Sequence, residues 1–129
     1  MTRIRIILAG LPRLLRDVLG ESLALEPDLE IAGSVDRGDE ITPFVRQTAS
    51  HVVVLDEALA SASGASLAKE LRSLTLPVTV IAIGAKGDRA MIFPPNEKPV
   101  ELLDLSTGTL AQAIRSYAAV KGSTRLPPG

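Results

Sequence analysis

The chain has 129 residues, a length that suits one domain with a single buried core. Its 14 basic and 15 acidic side chains nearly cancel and 46% of its residues are hydrophobic, which argues against disorder and against a nucleic-acid footprint. The absence of cysteine excludes disulfides and thiolate sites. No stretch approaches the ~20 apolar residues of a membrane span. We therefore expect a cytoplasmic protein that binds neither membrane nor nucleic acid directly.

Strand and helix patterns alternate from the N-terminus. The apolar run from Ile4 to Ala9 predicts a first strand, and a helix is expected from about Arg13. Leu29 to Val35 predicts a second strand, and Thr42 followed by Pro43 is typical of the N-cap and first position of a second helix. The buried stripe predicted for the first helix consists of Leu14, Leu15, Val18, Leu19, Ser22 and Leu23.

The second half of the chain continues the alternation with one interruption. The run from Val52 to Leu55, which ends at Asp56, is typical of a strand buried on both faces of a parallel sheet. A helix is expected from Leu67, a fourth strand over Val78 to Ile83 and a fifth from Val100. Prolines 94, 95 and 99 allow at most a short helix around Arg89 to Ile92. The last helix, capped by Thr107 or Thr109, should bury Leu110, Ala113, Ile114 and Tyr117.

This order of elements predicts an α/β domain over residues 1–121, with a disordered tail or linker over 122–129. Five strands alternating with helices indicate a parallel sheet that is covered on both faces. Ligands gather at the carboxyl ends of the strands in such sheets, so Asp56 is a candidate functional residue by its position.

Several phrases resemble one family over most of the chain, from Ile4 to about Val120. They are IRIILA, LEPDLEIAGSVDRGDE, VVVLD, a glycine eight positions after Asp56, and LAQAIRSYAAV. Their spacing is similar to that of bacterial response regulator receiver domains, in the branch with a helix-turn-helix output domain. The resemblance implies a flavodoxin-like (CheY-like), doubly wound, five-stranded parallel sheet of order 2-1-3-4-5, here with its fourth helix short or missing.

Receiver domains accept a phosphoryl group on an aspartate, and the resemblance assigns that position to Asp56. The family holds Mg²⁺ with two acids after the first strand, where this chain has Gly10 and Leu11. A hydroxyl residue at the end of strand four is replaced by Ala82, and a lysine late in strand five by Leu103. Because fixed positive charge is needed to accept a phosphoryl group, these replacements predict a pseudo-receiver in which Asp56 is vestigial.

The expected function is phosphorylation-independent interaction with a protein partner, or homodimerisation, in signal transduction or transcription regulation. The predicted interaction surface on the last helix contains Ala111, Ile114 and Ala118. The resemblance also implies a C-terminal DNA-binding output domain that is not in this chain. We expect no cofactor, no metal and no enzymatic activity, because the chain has no cysteine, no second histidine and no acid pair near a strand end. The single histidine, His51, lies at the end of its strand opposite Asp56.

Other interpretations remain open. Asp56 is a structural acid of the loop, or it is still phosphorylated. A small molecule or nucleotide could bind at the carboxyl ends of the strands, where the segment Gly84 to Asp88 could form an anion nest beside Lys86.

Overall fold

A computed structural model describes residues 3–57, 78–84, 88–94 and 98–118 of the chain. The described strands are β1 (Ile4–Ala9), β2 (Leu29–Val35), β3 (Val52–Asp56), β4 (Thr79–Ile83), β5 (Ala90–Phe93) and β6 (Val100–Leu102). The described helices are α1 (Arg13–Ala24), α2 (Ile41–Thr48) and α3 (Thr107–Tyr117), with a 3-10 turn at Gly38–Glu40. The predicted helix from Leu67 and the tail lie outside the described residues.

The six described strands form one sheet in the order β2-β1-β3-β4-β5-β6. β2, β1, β3 and β4 are parallel, and the β-branched run of β3 is fully buried between β1 and β4. β5 pairs antiparallel with both β4 and β6. The flavodoxin-like architecture is therefore confirmed, but the sheet is mixed and has one strand more than predicted.

The extra strand β5 replaces the short helix that was expected around Arg89 to Ile92. Its side chains alternate between buried Ala90 and Ile92 and half-buried Met91 and Phe93, which is the two-residue period of a strand. Pro94 follows at once, and a helix could not continue through it without losing backbone hydrogen bonds. The chain therefore forms a hairpin-like return beside β4.

Two hydrophobic clusters cover the two faces of the sheet. α1 and α3 pack on one face through Leu19, Leu23, Leu110 and Ile114, all at most 5% exposed. α2 packs on the other face through Ile41 and Val45. The buried stripe of α1 is narrower than predicted, because Leu14 is 77% and Val18 is 44% exposed.

Helix starts differ in detail from the sequence expectation. α2 begins at Ile41 directly after the 3-10 turn, so Pro43 lies inside its first turn, where a missing N–H costs no helical hydrogen bond. The N-cap of α3 is Ser106, not a threonine. Its hydroxyl accepts from the Thr109 N–H at 3.1 Å, while the Thr109 hydroxyl accepts from the Ser106 N–H at 2.7 Å. This reciprocal capping box fixes the turn between β6 and α3.

Candidate functional site at the carboxyl edge of the sheet

Asp56 ends β3 at the carboxyl edge, where it is half-buried. Register places Leu55 between Ala9 of β1 and Ala82 of β4, and Asp56 beside Ile83. Gly10, which follows Ala9, is therefore at the level of Asp56 on the neighbouring strand. The structure thus places Gly10 and Asp56 at the same level of neighbouring strands, while Ala82 lies one residue further back on β4, opposite Leu55.

The loop after β1 carries no acid at this edge. Gly10 has a φ of 59°, in the left-handed region that favours glycine, and its N–H donates to the Val35 carbonyl at 2.9 Å. Leu11 is only 8% exposed and packs with the cluster under α1 and α3. This loop is a packed apolar turn.

The strand beside Asp56 has no hydroxyl to offer at its end. Ala82 pairs with Leu55 and Ile83 pairs with Asp56, and the two side chains are 5% and 0% exposed. The cross-strand neighbour of Asp56 is therefore Ile83. The sequence placed the missing hydroxyl at Ala82, which pairs with Leu55 instead.

Leu103 lies further from Asp56 than the five-stranded expectation implies. It follows β6, and β5 stands between β6 and β4 in the sheet. Adjacent strands are about 4.8 Å apart, so one inserted strand moves Leu103 about 5 Å away from the β3 end. Its side chain is 58% exposed. The position at which the resemblance expects a lysine therefore carries a neutral leucine and lies one strand further from Asp56.

A cleft of about 580 Å³ opens at the same edge, beside β4 and β6. Its floor is held by two backbone hydrogen bonds: the Gly84 N–H donates to the Arg89 carbonyl at 2.8 Å, and the Leu105 N–H donates to the Asp88 carbonyl at 2.9 Å. Three of its side chains are acidic and one is basic. The lining residues are Glu57, Gly84, Asp88, Arg89, Leu103, Asp104 and Leu105. The cleft therefore has negative charge, which the sequence expectation of an anion nest did not include; Lys86 lies outside the described residues.

The predicted interaction residues of the last helix lie in the core. Ala111, Ile114 and Ala118 are 4%, 0% and 5% exposed and pack with the cluster under α1 and α3. Side chains with so little exposure offer no contact area to a second protein in this conformation. An interaction surface on this face must use other residues.

His51 lies at the opposite, amino edge of the sheet, as expected, and it is half-buried. Its Nδ1 accepts from the Arg5 N–H at 2.9 Å. Burial, followed by the charge of Arg5, lowers the pKa of His51. The neutral ring is thus part of the strand network and is remote from Asp56.

The described residues contain neither a cluster of metal-binding side chains nor a membrane-spanning helix. Within 3–57, 78–84, 88–94 and 98–118, no three or more histidine, aspartate or glutamate side chains are grouped so that they could hold a metal ion. The same ranges contain no helix that is long and apolar enough to cross a membrane.

The open α/β sheet with Asp56 at the carboxyl end of β3 fits the resemblance to receiver domains. Over 114 residues, 88% of the chain, the sequence is 28% identical to the transcriptional regulatory protein DesR of Bacillus subtilis. The matched part spans 57% of the length of DesR. The fold is similar to the signal receiver domain of the response regulator NarL from Mycobacterium tuberculosis, with a TM-score of 0.58, 25% identity, and coverage of 66% of this chain and 68% of that one. No family model matches.

These two likenesses agree in sequence and in fold. Both likenesses support a response regulator receiver domain.

Proposed function

We propose that this receiver domain is a pseudo-receiver, which acts by protein interaction without phosphorylation of Asp56 and without catalysing a reaction. The observation that carries the proposal is the residue types at the positions next to Asp56: Gly10 and Leu11 follow β1, and Ala82 and Ile83 end β4, so none of the four offers a side-chain oxygen or a positive charge. Transcription regulation in the cytoplasm is the proposed setting, supported by the likeness to DesR. A DNA-binding output domain, joined to the receiver or bound by it, is one expected partner.

Electrostatics favours this interpretation. A phosphoryl group adds about two negative charges, and a positive counter-charge at about 4 Å is worth about 4 kcal/mol for each of them at an effective dielectric constant of about 20. Mg²⁺ in proteins requires several oxygen ligands, and Gly10 and Leu11 offer no side-chain oxygen. The donors present at this loop do not fit Mg²⁺. Leu103 is neutral and lies further along the sheet, so it does not supply the positive charge that a lysine would bring to this position.

The proposal is tested by exposing the chain to beryllofluoride or acetyl phosphate with magnesium. We expect no mass adduct and no chemical-shift change at the carboxyl edge, with Asp56→Asn as the control that assigns any change to this carboxylate. A Leu103→Lys variant should also show no adduct, because the inserted strand β5 places this position about 5 Å further from Asp56 than the five-stranded sheet would. A stable adduct on Asp56 of the unmodified chain would instead show a working phosphoacceptor.

The cleft beside β4 supports a second candidate function, the binding of a small molecule. Its three carboxylates, at Glu57, Asp88 and Asp104, outnumber Arg89, so a cationic ligand is favoured over a nucleotide. Thermal melting with saturating nucleotides and with polyamines distinguishes the two ligand classes. A melting shift with a nucleotide would contradict the charge argument, and no shift with any ligand would remove this candidate.

A further inference from the structure

We infer that the amino edge of the sheet is an acid-operated latch, in which protonation of His51 separates the amino ends of β1 and β3 and releases the C-terminal end of α3. The latch is a chain of hydrogen bonds that runs through Arg5, His51, Thr79 and Tyr117. It goes beyond the proposed interaction role and is independent of Asp56, which lies at the opposite edge of the sheet.

His51 is bound to β1 through its ring as well as its backbone. Its N–H donates to the Arg5 carbonyl at 2.9 Å, and its Nδ1 accepts from the Arg5 N–H at 2.9 Å. Ala49, the C-cap of α2, has a φ of 53°, so the chain turns away from the strand direction just before His51. The imidazole nitrogen therefore takes the place of a backbone acceptor at the end of the β1–β3 pairing.

Only the neutral ring can form this hydrogen bond. A nitrogen that accepts carries no proton, so the proton of the neutral His51 ring is on Nε2. When the ring gains a second proton, Nδ1 becomes a donor that faces the Arg5 N–H, and the hydrogen bond is lost. The Arg5 N–H belongs to the backbone of a paired strand, so the ring is the group that moves away.

The charges around His51 act in the same direction. Burial lowers the pKa of His51 most, and the charge of Arg5 lowers it further. Arg5 is held in place, because its Nη1 donates to the Thr48 carbonyl at 2.6 Å and its Nε lies 3.1 Å from the Glu30 carboxylate. Glu30 is shared with Arg3 at 3.8 Å, and the described parts of α2, β4 and α3 add no charge that shifts the pKa of the ring. Protonation therefore brings two positive charges together at one strand end.

The other side of His51 leads to the last helix. The His51 carbonyl accepts from the N–H of Thr79, the first residue of β4, at 2.9 Å. The Thr79 hydroxyl donates to the carbonyl of Tyr117, the last residue of α3, at 2.8 Å. Thr79 is 0% exposed, so solvent does not replace this acceptor while β4 and α3 stay in place.

These links join element ends, where local opening costs least. A strand that loses its terminal hydrogen bonds opens from that end, so withdrawal of His51 removes the backbone partner of Thr79. The Thr79 hydroxyl then no longer holds the Tyr117 carbonyl. Ala118, the C-cap of α3, follows directly, so the latch controls where the chain leaves the helix.

The test follows hydrogen exchange of single amides in the full chain at pH 7 and pH 5, corrected for the intrinsic exchange rate at each pH. The two reporters are the Arg5 N–H, which is bound to the ring, and the Ala118 N–H, which donates to the Ile114 carbonyl at 2.9 Å. An opened His51 titrates with its ordinary pKa of 6.5, so pH 5 favours opening by at most about thirtyfold over pH 7. We expect protection of both reporters to fall several-fold within this limit, along the titration curve of the His51 ring. Both should exchange faster than Val54 in the centre of β3, because the opening is local.

Two variants separate the links of the latch. His51→Asn keeps an acceptor oxygen close to the position of Nδ1 but does not titrate, so the pH dependence should disappear at both reporters; His51→Gln is a second neutral variant. Thr79→Val removes the hydroxyl alone, so Ala118 should exchange fast at both pH values while Arg5 keeps its pH dependence.

A pH dependence that persists in both neutral variants would overturn the inference, as would a change at Arg5 without one at Ala118. No change in the unmodified chain, or one common exchange rate for Val54 and both reporters, would overturn it as well. Protonation of Asp28 beside Arg115 does not interfere, because the pKa of Asp28 is lowered from its ordinary 3.8. The beryllofluoride experiment tests the pseudo-receiver proposal separately, since an adduct on Asp56 leaves the exchange result unchanged.

Discussion

Arg115 joins α3 to the turn between α1 and β2, and its loss should measurably destabilise the domain. Its Nε and Nη2 donate to the two carboxylate oxygens of Asp28 at 2.7 and 2.9 Å. The Nη2 group also donates to Glu26. These hydrogen bonds connect α3 to the turn between α1 and β2. The perturbation is therefore Arg115→Ala.

The magnitude follows from geometry and exposure. A hydrogen bond to a charged group contributes about 1.5–3 kcal/mol when it is well shielded. The side chains of Asp28 and Glu26 are 43% and 37% exposed, so solvent screening reduces this to about 1 kcal/mol for each carboxylate. The total of about 2 kcal/mol corresponds to a fall in Tm of about 8 °C for a domain of this size.

Chemical denaturation and calorimetry at two pH values provide the assay. The hydrogen bond from Arg115 lowers the pKa of Asp28 below its ordinary 3.8. Because the folded pKa is below the unfolded one, the stabilisation is complete above pH 3.8 and is lost as the pH falls through the folded value. The difference between the unmodified chain and Arg115→Ala should therefore be smaller at pH 3 than at pH 7.

Arg115→Lys is the matched control, since it keeps the charge but loses the two-pronged geometry, and it should give an intermediate stability. The reasoning is refuted if Arg115→Ala melts with the unmodified chain at pH 7, or if the difference is the same at both pH values.

Two further predictions concern packing and protonation. Gly33→Ala should destabilise the chain by about 1–3 kcal/mol, because an added Cβ would lie 2.6 Å from Cζ of Phe44. Gly20→Ala, whose Cβ meets Leu8 at an ordinary 3.9 Å, should instead be neutral or stabilising in denaturant titrations, and equal effects of the two would contradict this explanation. For His51, burial lowers the folded pKa below 6.5, so stability should be constant above that pH and fall below it. His51→Gln should flatten the fall between pH 7 and pH 5, and an unchanged slope would show that His51 is not its cause.

Local pattern was sufficient for the first half of the fold. The predicted bounds of β1, β2 and β3 agree with the structure, because each apolar run is ended by a turn residue or a charge. The start of α1 at Arg13 also agrees, since Pro12 precedes it. The replacement of family acids by Gly10 and Leu11 was likewise visible in the sequence, because it depends on residue identity alone.

β5 was missed because four residues with two prolines after them carry a weak local signal. Its four residues are all apolar, so the sequence shows no alternation, and the two-residue period in burial arises only when β4 and β6 pair with β5. Pairing partners are distant in the sequence, so periodicity within one segment cannot identify them.

The sequence by itself determined the receiver class of the fold and the chemical types around Asp56. Only the tertiary structure decided that Ile83 lies beside Asp56, that β5 displaces Leu103, and that Ala111 and Ile114 are buried. It also decided which leucines of α1 face solvent, although all of them have helical spacing. The physical reason is that a side chain's exposure depends on which strands and helices pack against it, and these contacts join residues far apart in the chain.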